Sequence, residues 1–112
     1  MNAELHSVIE RERERIAEQL ATLQESFDAI VDGTELTSTD DEHDPEGTTI
    51  AYERAQVAAL LHQAEKDLVA LDEALHRVEE GTAETCEGCG GPIGTERLLA
   101  LPTTRHCINC AS

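Results

Sequence analysis

The sequence predicts an all-α fold, an antiparallel coiled-coil helical hairpin followed by a small cysteine-rich module. Two long stretches carry apolar residues at coiled-coil spacing, and a segment rich in glycine and acidic residues separates them. All four cysteines come after the second stretch, near the C-terminal end. Only Phe27 and Tyr52 are aromatic, whereas a compact globular core usually needs more large side chains.

The first helix is predicted from residue 2 to about residue 31, a stretch without glycine or proline. Apolar residues recur in it at the heptad spacing of a coiled coil. The d positions are Ile9, Ile16, Leu23 and Ile30, and the a positions are His6, Arg13, Leu20 and Phe27. The seam is therefore apolar from Ile16 to Ile30 and imperfect nearer the start.

A loop is predicted at residues 32–48, which contain two glycines and a proline. The second helix is predicted from about residue 49 to residue 80, with Gly81 as its C-cap. Its seam alternates steps of four and three residues, as in a coiled coil. The seam residues are Val57, Leu61, Ala64, Leu68, Leu71, Leu75 and Val78.

One antiparallel register satisfies both seams. It pairs Ile30 with Ile50, Leu23 with Val57, Ile16 with Ala64 and Ile9 with Leu71. The alternative is that each helix pairs with another chain, but the matched lengths and the central loop favour a hairpin. We therefore expect a monomer with a hairpin at residues 1–80, whose acidic tip is the loop, and a separate module at residues 81–112.

The charge of the chain limits its partners. Aspartate and glutamate number 24 against 8 lysines and arginines, giving a formal charge of −16. Such a chain repels phosphate backbones, so we expect no direct binding to DNA and a preference for basic surfaces. Between Ile16 and Glu53 there is no lysine or arginine. The acidic loop is thus either a partner-binding tip or simply solvated.

The sequence also bears on location. It has no apolar leader segment and no run approaching the ~18 apolar residues of a membrane span. We expect a cytoplasmic protein, and a reducing compartment argues against disulfides. It contains no nucleophile elbow, P-loop or dinucleotide-binding glycine motif, so we expect that it is not an enzyme.

The cysteines follow the pattern Cys86-x2-Cys89, seventeen residues, Cys107-x2-Cys110. Two such pairs bring four thiolates within tetrahedral reach of one Zn²⁺ at about 2.3 Å. Gly90 and Gly91 permit a tight turn, and residues 97–101 are predicted to form a short apolar helix beneath the site. We therefore predict a C4 zinc finger, with zinc supplying ~10 kcal/mol or more of folding free energy. The alternative is a redox-active thiol pair, which lacks its usual βαβ context here.

The finger resembles that of the TraR/DksA family of bacterial transcription factors, whose signature reads CxxCG…IgxeRLxAxPxxxxCixC. The residues that carry this resemblance are Cys86-Glu87-Gly88-Cys89-Gly90, Ile93-Gly94, Glu96-Arg97-Leu98, Ala100, Pro102-Thr103 and Cys107-Ile108-Asn109-Cys110. A helical hairpin with an acidic tip, running straight into such a finger, is similar to the family's architecture.

The resemblance implies a regulator that binds bacterial RNA polymerase without contacting promoter DNA. In the family the coiled coil enters the polymerase secondary channel, and acidic tip residues approach the catalytic region. The tip residues implied here are Asp40, Asp41 and Asp44. The sequence departs from the family's DxxDxA tip pattern in both of its nearest alignments. Asp41-Glu42-His43-Asp44 keeps both aspartates but shifts the frame and is followed by Pro45, whereas Asp44-Pro45-Glu46-Gly47 has glycine at the second acidic position. Some members act with the alarmone ppGpp, which is a candidate partner by the same resemblance.

Two other functions remain open from the residues alone. The first is a zinc-stapled coiled-coil adapter that binds another protein through the surface of its helices. The second is a thiol-based sensor, in which oxidation would eject zinc and unfold the finger. A regulator needs the tip acids and the zinc, an adapter needs the helix surface, and a sensor needs an oxidation step.

Overall fold

The computed structural model describes residues 2–36 and 45–111, with side chains at residues 2–32 and 49–111. Three helices follow one another: α1 at Ala3–Leu36, α2 at Pro45–Glu80 and α3 at Thr95–Ala100. No strand is assigned in the described residues, where the one β-type contact is an isolated bridge between Thr85 and Pro92. The predicted all-α fold, a helical hairpin followed by a cysteine-rich module, is confirmed.

Both long helices extend beyond their predicted ends. α1 continues to Leu36 through Gly33, because a single interior glycine costs only about 1 kcal/mol. α2 begins at Pro45, where a proline fits because the first turn of a helix leaves its N–H groups unbonded. The predicted tip residues Asp40, Asp41 and Asp44 lie outside the described residues.

The start and the end of the helical pair each have an identifiable cap. Asn2 is the N-cap of α1, since its Oδ1 accepts a hydrogen bond of 3.1 Å from the Leu5 amide. At the end of α2, the amides of Gly81 and Thr82 donate to the carbonyls of Val78 and Arg77 at 3.2 and 2.9 Å. This is a Schellman motif, and Gly81 has the positive φ of 80° that it requires. The predicted C-cap is confirmed.

The chain divides into two compact units. Unit 1 contains Met1–Ile16 and Asp67–Ser112, and unit 2 contains Ala17–Lys66. Unit 1 thus holds the beginning of α1, the end of α2 and the whole cysteine module, whereas unit 2 holds the remaining parts of the two long helices. None of the helices in the described part of the chain is long and apolar enough to cross a bilayer.

In unit 1 the two long helices run antiparallel. Arg13 Nε lies 2.7 Å from Asp72 Oδ1, and His6 Nε2 lies 3.9 Å from Glu79 Oε1. A later residue of α1 thus faces an earlier residue of α2, as antiparallel helices require. The core of this unit consists of aliphatic side chains from both helices, which burial removes from water. Its buried helical residues are Leu5, Ile9, Ile16, Leu71, Ala74 and Val78.

Two positions of the predicted seam in unit 1 are not core positions. The His6 side chain is 26% exposed and the Arg13 side chain 48% exposed, and both turn toward carboxylates. Burying an unpaired guanidinium would cost several kcal/mol, so a partly exposed ion pair is the better arrangement. Leu5, which the two-helix heptad leaves outside the seam, is completely buried instead.

In unit 2 the seam residues of α1 are only partly buried. Leu20, Leu23, Phe27 and Ile30 are half-buried, and Val57 on α2 is half-buried as well. Leu61 and Ala64 are buried. Arg54 on α2 is exposed. The apolar seam is therefore less completely buried in unit 2 than in unit 1.

Candidate metal centre

The first cysteine pair sits on a tight turn that follows the end of α2. The Cys86 amide donates to the Gly91 carbonyl at 2.8 Å, and the Gly90 amide donates back to the Cys86 carbonyl at 2.9 Å. Gly90 has a φ of 76°, a conformation that strains any residue with a Cβ. The predicted role of this glycine is confirmed, and the turn places Cys86 and Cys89 on the same side of the chain.

The second cysteine pair, residues 107–110, forms a similar turn after α3. The amides of Cys110 and Ala111 both donate to the Cys107 carbonyl, at 3.1 and 3.0 Å. Between the two pairs lies α3, which begins two residues before the predicted short helix and ends one residue before its predicted end. Leu98 of α3 is 1% exposed and is the most completely buried side chain between the two cysteine pairs.

These two turns bring the four sulfurs together. The Sγ atoms of Cys86, Cys89, Cys107 and Cys110 all lie within 4.8 Å of one another. The Sγ atoms of Cys89 and Cys107 are 3.8 Å apart, and tetrahedral coordination at ~2.3 Å gives a sulfur–sulfur spacing of about 3.8 Å. The geometry and the all-thiolate donor set both fit Zn²⁺. In the described part of the chain, no other group of metal-ligating side chains comes this close together.

Backbone amides point at the sulfurs and favour their charged form. The amides of Gly88 and Cys107 each donate to Cys86 Sγ at 3.3 Å, and the Gly91 amide donates to Cys89 Sγ at 3.4 Å. The hydrogen bond from Cys107 contributes most to lowering the pKa of the Cys86 thiol to about 6. The pKa of Cys107 is also lowered, mainly by the Cys110 amide. Thiolate is the form that binds a metal.

Cys110 behaves differently among the four sulfurs. The neighbouring sulfurs of Cys107, Cys86 and Cys89, with Cys107 contributing most, stabilise its protonated form and raise the pKa of Cys110 to about 12. One proton shared within the cluster relieves the repulsion between close thiolates. A bound dication would relieve the same repulsion and would displace that proton. Four sulfurs close the coordination shell, so such a site supports structure and leaves no open position for catalysis.

Gly88 is a site residue that the sequence analysis did not single out. A Cβ at this position would lie 3.1 Å from Cys110 Sγ and 3.4 Å from the His106 ring. The first turn therefore passes so close to the second pair that a side chain at position 88 would require its neighbours to shift. The signal in the sequence was the glycine inside the first CxxC, but glycine in a turn usually indicates a backbone requirement rather than crowding.

Arginines hold the segment before the second pair in place. Arg97 Nε donates to the His106 carbonyl at 3.0 Å, and Arg77 Nη2 donates to the Thr103 carbonyl at 3.5 Å. Arg105 forms ion pairs with Glu73 of α2 and Glu87 of the first turn. Nothing in the sequence identified these contacts, because they join residues far apart in the chain.

Glu84 connects the segment before the first cysteine pair to α1 and α3. Its carboxylate accepts hydrogen bonds from Asn2 Nδ2 at 3.3 Å and from Thr95 Oγ1 at 3.4 Å. It therefore joins the start of α1 and the start of α3 to the strand-like stretch before Cys86. These exposed contacts are individually weak, but together they define one orientation of the finger within unit 1.

The comparisons with known proteins agree with this geometry. The family model of the prokaryotic dksA/traR C4-type zinc finger matches residues 81–112. The solved structure of transcription factor DksA2 from Pseudomonas aeruginosa is similar over 99% of this chain and 83% of that chain, with a TM-score of 0.60 and 25% identity. Residues 81–112 are therefore a zinc finger of the dksA/traR type, and the chain as a whole has a DksA-like fold.

The chain is also similar to an uncharacterized protein of Aquifex aeolicus (strain VF5). It is 49% identical over 41 residues, which cover 37% of this chain and 28% of that relative. The chain therefore matches less than a third of that relative's length. The zinc finger of the TraR/DksA family and the convergence of four sulfurs establish a structural Zn²⁺ as the cofactor. The predicted zinc cofactor is confirmed.

Proposed function

We propose that this protein is a DksA-like transcription regulator that acts by binding bacterial RNA polymerase directly. The observation that carries the proposal is the combination of a dksA/traR zinc finger with a long helical hairpin. The same combination extends over 99% of the chain in the comparison with a protein described as a transcription factor. A net charge of −16 argues against DNA itself as the binding surface.

The hairpin end is the proposed contact with the polymerase secondary channel, and Asp40, Asp41 and Asp44 are the proposed contact residues. The charge pattern supports this assignment, because the sequence has no lysine or arginine between Ile16 and Glu53. A channel that admits nucleoside triphosphates is cationic, and an anionic segment is drawn toward it. On α1, four carboxylates that precede the proposed tip are exposed: Glu18, Glu25, Asp28 and Asp32.

The finger has a supporting part in this proposal. We assign four cysteines as the zinc ligands, because their sulfurs lie close enough to share one ion: Cys86, Cys89, Cys107 and Cys110. The metal would supply most of the free energy that folds residues 81–111, because the stretch contains few buried apolar side chains. They are Ala83, Ile93 and Leu98, in addition to Cys86 and Cys107.

A binding assay with purified core RNA polymerase tests the proposal. We would compare the zinc-loaded wild type with a triple variant in which Asp40, Asp41 and Asp44 are alanine. The matched control changes to alanine three exposed helical carboxylates outside the stretch that lacks lysine and arginine, and it loses the same charge: Glu4, Glu14 and Glu65. Single-round transcription in the presence and absence of ppGpp would accompany the binding measurement.

We expect the wild type and the control to bind and to alter transcription, and the tip variant to lose the effect on transcription. If the control loses as much as the tip variant, overall charge and not the tip is responsible. If none of the proteins binds the polymerase, the family fold stands. That result would favour the adapter alternative, in which the partner is another protein.

A further inference from the structure

We propose that Arg105 is a positioning residue that ties the zinc site to α2, so that Glu73 slows the release of zinc from the finger. Glu73 lies in α2 and is not among the four clustered cysteines that hold the metal. The proposal concerns unit 1 alone, so it does not depend on whether the protein binds RNA polymerase.

The guanidinium of Arg105 reaches two carboxylates on different parts of the unit. Its Nη2 lies 2.5 Å from Glu73 Oε2, and its Nη1 lies 3.4 Å from Glu87 Oε1. Glu73 belongs to α2, and Glu87 follows Cys86 in the first cysteine turn. A planar guanidinium with donors on both sides suits this bridging position, whereas the ammonium of lysine is a single point charge.

The main chain continues the connection from Arg105 to the sulfurs. The Arg105 carbonyl accepts a hydrogen bond of 2.9 Å from the Glu87 amide, which pairs the two segments by backbone as well as by charge. Two residues further on, the Cys107 amide donates to Cys86 Sγ at 3.3 Å. A displacement of Arg105 therefore moves both the sulfur of Cys107 and the amide that stabilises the Cys86 thiolate.

Release of zinc requires the two cysteine pairs to separate. While the Arg105 bridge is intact, that movement breaks the ion pair to Glu87, and movement of the second cysteine pair away from α2 also breaks the ion pair to Glu73. The side chains of Glu73 and Glu87 are 53% and 48% exposed, and that of Arg105 is 41% exposed, so solvent screens both pairs. We therefore expect loss of the bridge to raise the release rate of zinc roughly twofold to tenfold. This range corresponds to the free energy that two exposed ion pairs typically contribute.

The test is the rate at which zinc passes from the protein to an excess of a chromogenic chelator. The variants are Arg105→Ala, Glu73→Ala and the double variant. Glu80→Ala is the matched control for Glu73, because Glu80 lies on the same helix and pairs with His76. Arg11→Ala is the control for Arg105, since Arg11 is an exposed arginine of α1 in the same unit.

We expect both Arg105→Ala and Glu73→Ala to release zinc faster than their controls, and the double variant to release it no faster than Arg105→Ala. Arg105→Lys should fall between the wild type and Arg105→Ala, because lysine keeps the charge and satisfies one carboxylate at a time. The proposal is overturned if Glu73→Ala matches Glu80→Ala, if the two single effects add in full, or if Arg105→Lys equals Arg105→Ala. Unchanged release by Arg105→Ala would also overturn it.

Discussion

The backbone amide of Cys107 donates a hydrogen bond of 3.3 Å to the Sγ of Cys86. This contact joins the first residue of the second cysteine pair to the first residue of the first pair. Both of these cysteines are buried, whereas Cys89 and Cys110 are exposed. The four-sulfur cluster therefore has a buried side, formed by Cys86 and Cys107, and a solvent-exposed side, formed by Cys89 and Cys110.

Loss of one exposed cysteine should abolish tight zinc binding. We expect Cys89→Ser to lose the metal and to leave residues 81–111 without a fixed fold, because the remaining sulfurs cannot complete a tetrahedral shell. The measurement is the zinc-to-protein ratio after dialysis, together with amide NMR dispersion.

The matched control for that variant is His106→Ala, which should keep one zinc per chain. His106 is exposed and lies next to Cys107, but the group of clustered ligands contains only cysteines within the described residues. If Cys89→Ser retains zinc with an unchanged fold while His106→Ala loses it, the four-sulfur assignment is wrong.

Substitution of Gly88 should weaken the finger through crowding. In Gly88→Ala the new Cβ would lie 3.1 Å from Cys110 Sγ, so one of the two turns must shift, at a cost of about 1 kcal/mol or more. Gly91→Ala is the control, because its Cβ would meet Cys89 Sγ at an ordinary 3.4 Å. Competition with a chelator gives both zinc affinities, and equal affinities would contradict the crowding account.

The C-cap of α2 should be sensitive to the loss of Gly81. Its φ of 80° lies in the left-handed region, where a Cβ costs about 1–2 kcal/mol. We expect Gly81→Ala to lower the free energy of unfolding by about 1 kcal/mol, and Gly81→Asn to lower it by less. Urea unfolding followed by circular dichroism measures both. A Gly81→Ala protein as stable as the wild type would show that the motif contributes nothing.

The aliphatic core of unit 1 should respond to truncation far more than its surface does. Ile9 is completely buried, so Ile9→Ala should cost about 2–5 kcal/mol in the free energy of unfolding. Val69→Ala, at a side chain that is 57% exposed, should change it by less than about 0.5 kcal/mol. Similar losses in the two variants would contradict the placement of the core.

Much of this fold follows from local patterns in the sequence. Heptad spacing predicted two long helices and most of their buried faces, because helical period and burial are directly linked. Gly81 predicted the end of α2, because few residues other than glycine adopt the left-handed C′ conformation. The cysteine spacing predicted a zinc site, because a two-residue gap turns both sulfurs of a pair toward one point.

The features of the fold that the sequence did not predict depend on contacts between residues far apart in the chain, which local sequence patterns do not reveal. Leu5 is buried in a unit that also contains the finger, and a two-helix heptad has no place for a third element. Arg13 occupies an a position, yet it forms an exposed ion pair with Asp72. The bridge from Arg105 to Glu73 joins α2 to the finger, and no spacing rule connects residues so far apart.

The central claim is that the hairpin end contacts the polymerase secondary channel, and site-specific cross-linking tests it most directly. A photoreactive residue would replace Thr39, beside the proposed tip acids, and a second protein would carry it at Ser7, an exposed α1 position in unit 1. The account predicts that the probe at position 39 cross-links to polymerase segments lining the secondary channel, and that the probe at position 7 does not. Cross-links from position 39 only to surfaces outside the channel, or none from a protein that still binds, would contradict it.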